Sequence, residues 1–343
     1  MSNGMEPEVL VGKAVTSATA DTAFSLLNAQ QIEALIDLVV DQNVMIRESR
    51  VINVTAPSLE MGNIDIADGQ MTGGLGATAR MDEGDEMTVT FDGIDLDPEP
   101  FEIRYPFETT RLPLWNVEGA GLQRHVDTLV GTYYFNQLEE VMIHGDTGGV
   151  NPVGYAAGMM TSTDGWITQA QANGHTYDHG GDDVRALLFE NMIADLPVKW
   201  RGDLARRAAL RFYVPTEVER LYRAWLKGTR LNALGDLVLQ EDGMLAYSGI
   251  PLIPVPKMHT NDAGVLTQSA VADGLSYVLL CRPENLLLGY NPEMRVFVHP
   301  RDDGKVTYVN LWGEYDCGYA IEDEVVVAVN VSPTLAAAVE AEL

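Results

Sequence analysis

The chain has 343 residues, 46% of them apolar, and a formal net charge of −28. That length and apolar content support a folded protein with a sizeable core and room for two or three lobes, and they exclude wholesale disorder. No run of about 18 uncharged apolar residues occurs, which argues against a membrane-spanning helix. A surface this acidic does not attract phosphate backbones, so direct nucleic-acid recognition is disfavoured. The charge is uneven, net −20 over residues 1–180 and net −8 over 181–343. It would repel DNA held nearby, although solubility alone is a sufficient reason for it. Cys281 and Cys317 sit far apart in strand-like segments and read as two buried thiols in a reducing compartment rather than a disulfide. The N-terminus lacks the basic-then-apolar pattern of a secretion signal.

In chain order, residues 1–28 are small and polar and read as a mobile arm. Asn28–Asp41 is a short amphipathic helix with Ile32, Leu35, Ile36, Val39 and Val40 on one face. An extended stretch follows at Arg50–Thr55. Residues 60–100 are rich in glycine and acid; strands read at Glu86–Phe91 and Glu102–Tyr105, and the whole resembles a long hairpin with a loose Gly-rich tip. So apolar-poor a hairpin is not stable alone and must lie on something, a neighbouring copy being the natural candidate.

A long amphipathic helix comes next, from about Val117 to Ile143, capped by Asn116 and about 37 Å long at ~1.5 Å per residue. It ends in His144-Gly145-Asp146-Thr147-Gly148-Gly149, with Pro152 and Gly154 turning the chain back. Residues 157–182 read as a polar loop. Asp183–Leu196 is a helix, Ala208–Val214 a strand, and Glu217–Leu226 a helix with Thr216 and Glu219 as a capping box. Gly228–Asp242 reads as a loop. Strands follow at Leu252–Val255, Tyr277–Cys281 and Leu286–Leu288. Arg295–His299 and Lys305–Leu311 flank the turn Asp302-Asp303-Gly304, and Glu324–Val331 is an apolar strand of the buried kind. The tail Ser332–Leu343 reads as short helix or disorder.

Candidate chemistry is weak throughout. His175, His179, Asp178, Asp182 and Asp183 share a loop and have metal-ligand residue types, but a solvated polar loop explains them better. Asp92, Asp95, Asp97 and Glu99 alternate without the glycine and terminal glutamate of a calcium loop. Asp146 beside glycines is not a phosphate loop, since no Lys-Ser/Thr follows and the turn ends a helix where a phosphate loop begins one. There is no Gly-x-Ser-x-Gly, His-Glu-x-x-His or Cys-x-x-Cys. Neither catalysis nor a cofactor or resident metal is expected.

The order of these elements resembles the tailed-bacteriophage major capsid protein family, whose Hong Kong phage-type shell fold is shared with encapsulins. The resemblance runs over about residues 28–331. It rests on the arm helix, the extended loop at Glu60–Phe101, the long helix with its Gly-Asp-Thr-Gly-Gly and Pro152-Val153-Gly154 ending, and Phe212-Tyr213-Val214-Pro215-Thr216 leading into a helix. Gly249-Ile250-Pro251-Leu252-Ile253-Pro254-Val255, the 295–311 hairpin and the final strand complete it.

The resemblance implies an α+β fold. Its parts would be an N-terminal arm and helix (1–45), strands and extended loop (46–110), a spine helix and peripheral domain (111–182), a mainly axial domain (183–294), and a closing hairpin, strand and tail (295–343). It implies a structural, non-enzymatic subunit that self-assembles into pentamers and hexamers of an icosahedral or prolate head shell enclosing double-stranded DNA, located in the virion capsid and assembled in the host cytoplasm. A separate scaffolding protein, a portal and a cement protein are the implied partners, with no membrane and no sequence-specific DNA contact. An encapsulin-type compartment is the alternative; a carboxylate-rich metal-binding protein or hydrolase is the reading from another class.

Some family members weld subunits through a loop lysine, but no lysine lies between Lys13 and Lys199, so that crosslink is not expected here. About 28 residues precede the first helix, so scaffolding is expected from a separate protein or from a segment already removed. Candidate intersubunit contacts are Arg80 amid Asp82, Glu83, Asp85 and Glu86 on the extended loop. Arg124, Arg201, Arg206 and Arg207 are candidate partners for that acidic arm, and Lys227 and Arg230 would lie near the symmetry axes.

Overall fold

The computed structural model describes residues 25–26, 43–55, 59–66, 89–108, 134, 136–151, 156–202, 204–228, 245–258, 276–292, 295–300 and 306–331. One sheet organises the interior. It is built from β6 (His175–Asp178), β7 (Arg211–Pro215), β8 (Ala246–Tyr247), β9 (Ile250–Val255), β10 (Ser276–Cys281) and β14 (Val326–Val331), in the order β6-β14-β10-β7-β9-β8. Its central strands read as unbroken apolar runs because both faces are covered. Phe212, Val214, Val278, Leu280, Val326 and Ala328 point into one core, and Tyr213, Leu279, Cys281 and Val327 point into the other. The period of two along each strand sorts alternate residues into the two cores.

The first face is packed by α4 (Ala186–Asp195) and α7 (Thr216–Gly228), with Phe189 set edge-on to Phe212 at 5.0 Å and to Tyr222 at 4.8 Å. The second face meets the C-terminal end of the long helix, here α2 over residues 136–144, and α3 (Trp166–Asn173). Beyond them lies a second sheet of β1 (Ser25–Leu26), β2 (Arg50–Asn53), β5 (Glu99–Glu108), β11 (Leu286–Tyr290), β12 (Arg295–Pro300) and β13 (Val306–Tyr319). The 14-residue β13 pairs with β5 along its first ten residues, with β12 over 307–312 and with β11 over 315–319. A separate two-stranded arm joins β3 (Leu59–Ile66) to β4 (Val89–Leu96), in register from Leu59↔Leu96 to Ile66↔Val89.

The junction after α2 has a physical reason for its glycines. Gly145 does not take a left-handed conformation; it continues the helical ladder, its N–H donating to the Val141 carbonyl at 2.7 Å. What it permits is close approach. Gly165 donates to the Gly145 carbonyl at 2.8 Å, and the Thr168 hydroxyl donates to the same oxygen at 2.6 Å. A side chain on Gly145 would run into the Thr163 and Val141 carbonyl oxygens, and one on Gly165 into the Gly145 nitrogen and the Ile143 carbonyl. Asp146 and Asp164 then organise the turn. Asp146 Oδ1 accepts the Gly148 N–H at 3.0 Å, and Asp164 Oδ1 accepts both the N–H and the hydroxyl of Thr147 at 2.7 and 2.8 Å. Asp146 therefore has the structural role expected of it.

Three expectations are corrected. The acidic arm pairs Leu59–Ile66 with Val89–Leu96, whereas the segment read at Glu102–Tyr105 belongs to β5 and is spent on the body sheet. The supposed polar loop 157–182 contains a 3-10 turn (Met159–Thr161), α3 and β6. Trp166, Ile167 and Ala170 of α3 are fully buried, and Gln169 hides its amide by donating to the carbonyls of Asp164 (2.6 Å) and Cys317 (2.7 Å). The strand expected at Ala208 starts at Arg211, because residues 204–209 form the short helix α6 (Leu204–Ala209). The Asn28–Asp41 helix, the N-terminal part of the long helix, the Asp302–Gly304 turn and the tail lie outside the described residues. Both cysteines are buried free thiols, as expected.

Candidate intersubunit contact surfaces

Two features stand out from the body: the acidic arm and a basic ridge. The arm's root is pinned by Asp316, whose carboxylate accepts the Asp97 N–H, the Thr163 hydroxyl and its own neighbour's Cys317 N–H, each at 2.8 Å. Burial still pushes the Asp316 carboxyl above its ordinary range despite these donors. Leu96, fully buried at the base, fills the space over Gly289. Beyond this root the arm is two strands carrying Glu60, Asp65, Asp92 and Asp95, with Gly62 paired to Gly93. Two strands without a third are marginal in water. Asp92 and Asp95 thus belong to the arm's ladder, while Asp97 and Glu99 sit at the entry to β5.

The ridge is α5 (Val198–Arg201) and α6. Trp200 is its hub, with the Arg206 guanidinium 4.9 Å, the Arg282 guanidinium 5.4 Å and the Lys199 ammonium 5.6 Å from the ring centroid. Arg282 is held there by a bidentate pair with Glu324, whose side chain is wholly buried; Arg282 Nη2 donates to Glu324 Oε2 at 2.6 Å and Nε to Oε1. Burial pushes the Glu324 carboxyl up, and the bond to Glu324 pushes the Arg282 guanidinium up. Asp323 bridges Lys199 at 2.6 Å and His175 at 3.1 Å. Burial pushes the Asp323 carboxyl up, but these two partners together outweigh it and hold the carboxyl below its ordinary value.

Of the sequence-expected contact residues, three meet on this ridge. Arg201 donates to the Ala194 carbonyl at 2.6 Å, Arg206 to the Lys199 carbonyl at 3.3 Å, and Arg207 to the Ser248 hydroxyl. Each is thus positioned by backbone or hydroxyl oxygens. Lys227 lies in the last turn of α7, well along the chain from them. Arg80, Asp82, Glu83, Asp85, Glu86, Arg124 and Arg230 lie outside the described residues. Sequence reasoning misses Lys199, Trp200 and Arg282; the run Lys199-Trp200-Arg201 followed by Arg206-Arg207 is the available signal. The histidine loop does not converge on a metal-like centre: His175 faces Asp323, and His179 Nε2 donates to the Asp183 carbonyl at 3.2 Å. Among the described residues no three His, Cys, Asp or Glu side chains gather as a metal cage.

No family model matches the sequence. The chain is 20% identical over 333 residues, 95% of its length and 99% of the relative's, to the putative prophage capsid protein YqbE of Bacillus subtilis (strain 168). Its fold is similar to that of a satellite-phage procapsid including a size-determination protein, at TM-score 0.55 and 10% identity over 88% of this chain and 99% of that one. It is also similar to the encapsulin of a holo-complex from Synechococcus elongatus, at TM-score 0.53 and 11% identity over 93% and 96% of the two chains. On these likenesses the chain has the fold of the tailed-phage major capsid proteins, which encapsulins share.

Proposed function

We propose that this chain is the major structural subunit of a phage-type head shell. In this reading it assembles into pentamers and hexamers that close around double-stranded DNA. The observation that carries the reading is the likeness to a prophage capsid protein along 95% of the chain, coupled to a fold found in shells. The work of such a subunit is done by interfaces, not by a catalytic centre. The acidic arm would lie on an adjacent copy, where the basic ridge is a complementary surface. Exposed ion pairs contribute only about 0–1 kcal/mol each, but a shell repeats them in every copy and makes assembly sensitive to salt.

The parts would divide as an arm (1–45), an extended loop (46–110), a spine and peripheral domain (111–182), an axial domain (183–294) and a closing hairpin and tail (295–343). Scaffolding, portal and cement proteins would be separate chains, and assembly would take place in the host cytoplasm. An encapsulin-type shell is the second reading, favoured by the structural likeness over 93% of the chain. Negative-stain electron microscopy with size-exclusion chromatography tests the proposal. Closed shells or five- and six-membered rings support it; a monomer at every salt concentration, even with candidate scaffolding chains co-expressed, overturns it. Nuclease-resistant DNA inside particles separates the phage shell from a compartment holding a cargo protein.

A further inference from the structure

An open groove of about 560 Å³ lies where the helix α1 (Val44–Glu48) meets the edge of the central sheet. Its floor is apolar, with Val44, Ile253 and Pro254, and its charged lining is Arg47, Arg211 and Glu48. Glu48 is already engaged, accepting the Tyr213 hydroxyl at 2.8 Å. Arg211 is braced by donating from Nη1 to the Ala208 and Leu210 carbonyls at 3.1 and 2.8 Å. Arg47 is exposed and makes no ion pair among the described residues. Arg207 is bonded to Ser248, next to the lining residue Gly249, and extends the basic rim towards the ridge.

In a chain of net charge −28, this groove is lined by two arginines and one carboxylate that is already occupied. An occupant matching it would be extended, strongly acidic, and apolar at intervals. The sequence Met81-Asp82-Glu83-Gly84-Asp85-Glu86-Met87 has four carboxylates bracketed by two methionines and a glycine that lets the backbone approach closely. We infer that this groove seats the acidic segment Asp82–Glu86 of a second copy of this chain. The inference rests on the reading of the chain as a self-assembling shell subunit and narrows where one copy holds the next. Arginine forks match carboxylates in a bidentate geometry that lysine does not reproduce, so the arginine identity at positions 47 and 211 is part of the fit.

Directed crosslinking between two variants tests it. Chains carrying Arg47→Cys are mixed with chains carrying Asp85→Cys, assembled and mildly oxidised; the native thiols are buried and stay silent. The expected result is a disulfide-linked band of twice the chain mass, at least ten-fold above that from Arg47→Cys mixed with the exposed-site control Asp195→Cys. Should Arg47→Cys fail to fold, Ala208→Cys on the same lining replaces it. In parallel, Arg47→Glu with Arg211→Glu should raise the concentration needed for assembly at least ten-fold, and Asp82→Lys with Asp85→Lys in the same chain should restore it.

Particles without the crosslink overturn the seat while leaving the shell reading intact. Absence of any wild-type association overturns both. If added duplex DNA, rather than assembly, protects the thiol of the Arg47→Cys variant from alkylation, the groove belongs to phosphate and the proposal is overturned.

Discussion

Replacing Gly145 by alanine should be among the most damaging single-methyl additions to this protein. A Cβ there would sit 2.3 Å from the Thr163 carbonyl oxygen and 2.8 Å from that of Val141, both backbone atoms, whereas ordinary contact starts at 3.4 Å. One segment must therefore retreat by about 1 Å, a displacement that close-packed interiors resist. The retreat strains the bonds from Gly165 N–H and the Thr168 hydroxyl to the Gly145 carbonyl. Two weakened hydrogen bonds at about 1 kcal/mol each, added to about 1–3 kcal/mol of overpacking, give a loss of about 3–5 kcal/mol. Gly148→Ala is the internal control. Its Cβ would meet nothing nearer than an Asp146 carboxylate oxygen at 3.5 Å, so its cost should stay within about 0.5 kcal/mol. Urea unfolding of the dissociated subunit, followed by tryptophan fluorescence, measures both. If Gly145→Ala falls within about 1 kcal/mol of Gly148→Ala, the close approach of the Thr163–Gly165 segment to the end of α2 is not what this glycine serves.

Other consequences follow from the buried charges. Arg282→Met should destabilise by about 3–5 kcal/mol by leaving Glu324 buried and unpaired, and Arg282→Met with Glu324→Leu should recover most of the loss; urea midpoints of the single and double variants decide it. Glu139 accepts the Met45 N–H at 2.9 Å, yet burial raises its carboxyl above the ordinary 4.5. A raised native value means that its contribution to stability is complete below about 4.5 and is lost as pH rises through that native value. Glu139→Gln keeps an acceptor for Met45 without a charge, so the difference in urea midpoint between wild type and variant should grow with pH above about 4.5 in the variant's favour. An unchanged difference across about pH 4–7 would count against it. Cys281 and Cys317, both buried with thiols pushed up by burial, should react with a thiol reagent only in denaturant; rapid labelling of the native chain would contradict their placement.

Much of the fold is legible in the sequence because burial leaves a pattern. The runs at Phe212–Pro215, Tyr277–Cys281 and Val326–Val331 are apolar without interruption, which is how strands covered on both faces must read. The segment 157–182 misleads for the opposite reason. Its helix buries one Trp, one Ile and one Ala and satisfies its glutamine with backbone carbonyls as far as 148 residues away, so nothing in the local pattern announces burial. The arm is recognisable as a hairpin but its partner strand is not, because Glu102–Tyr105 and Leu59–Ile66 are equally good strands and pairing is a non-local choice. Arg201, Arg206 and Arg207 are visible as a basic run. That Trp200 gathers Arg206 with Arg282, and that Arg47 meets Arg211 across a groove, depends on residues far apart in the chain.

The sequence by itself determined which segments must be buried, where the chain must turn, and that its surface would be acidic, since these follow from composition and local periodicity. The tertiary structure alone decided which strands pair and which glycines are required for contact rather than for turning. It also decided which few cations converge into a ridge and a groove. Those outcomes are set by how distant faces pack, and distance along the chain carries no record of it.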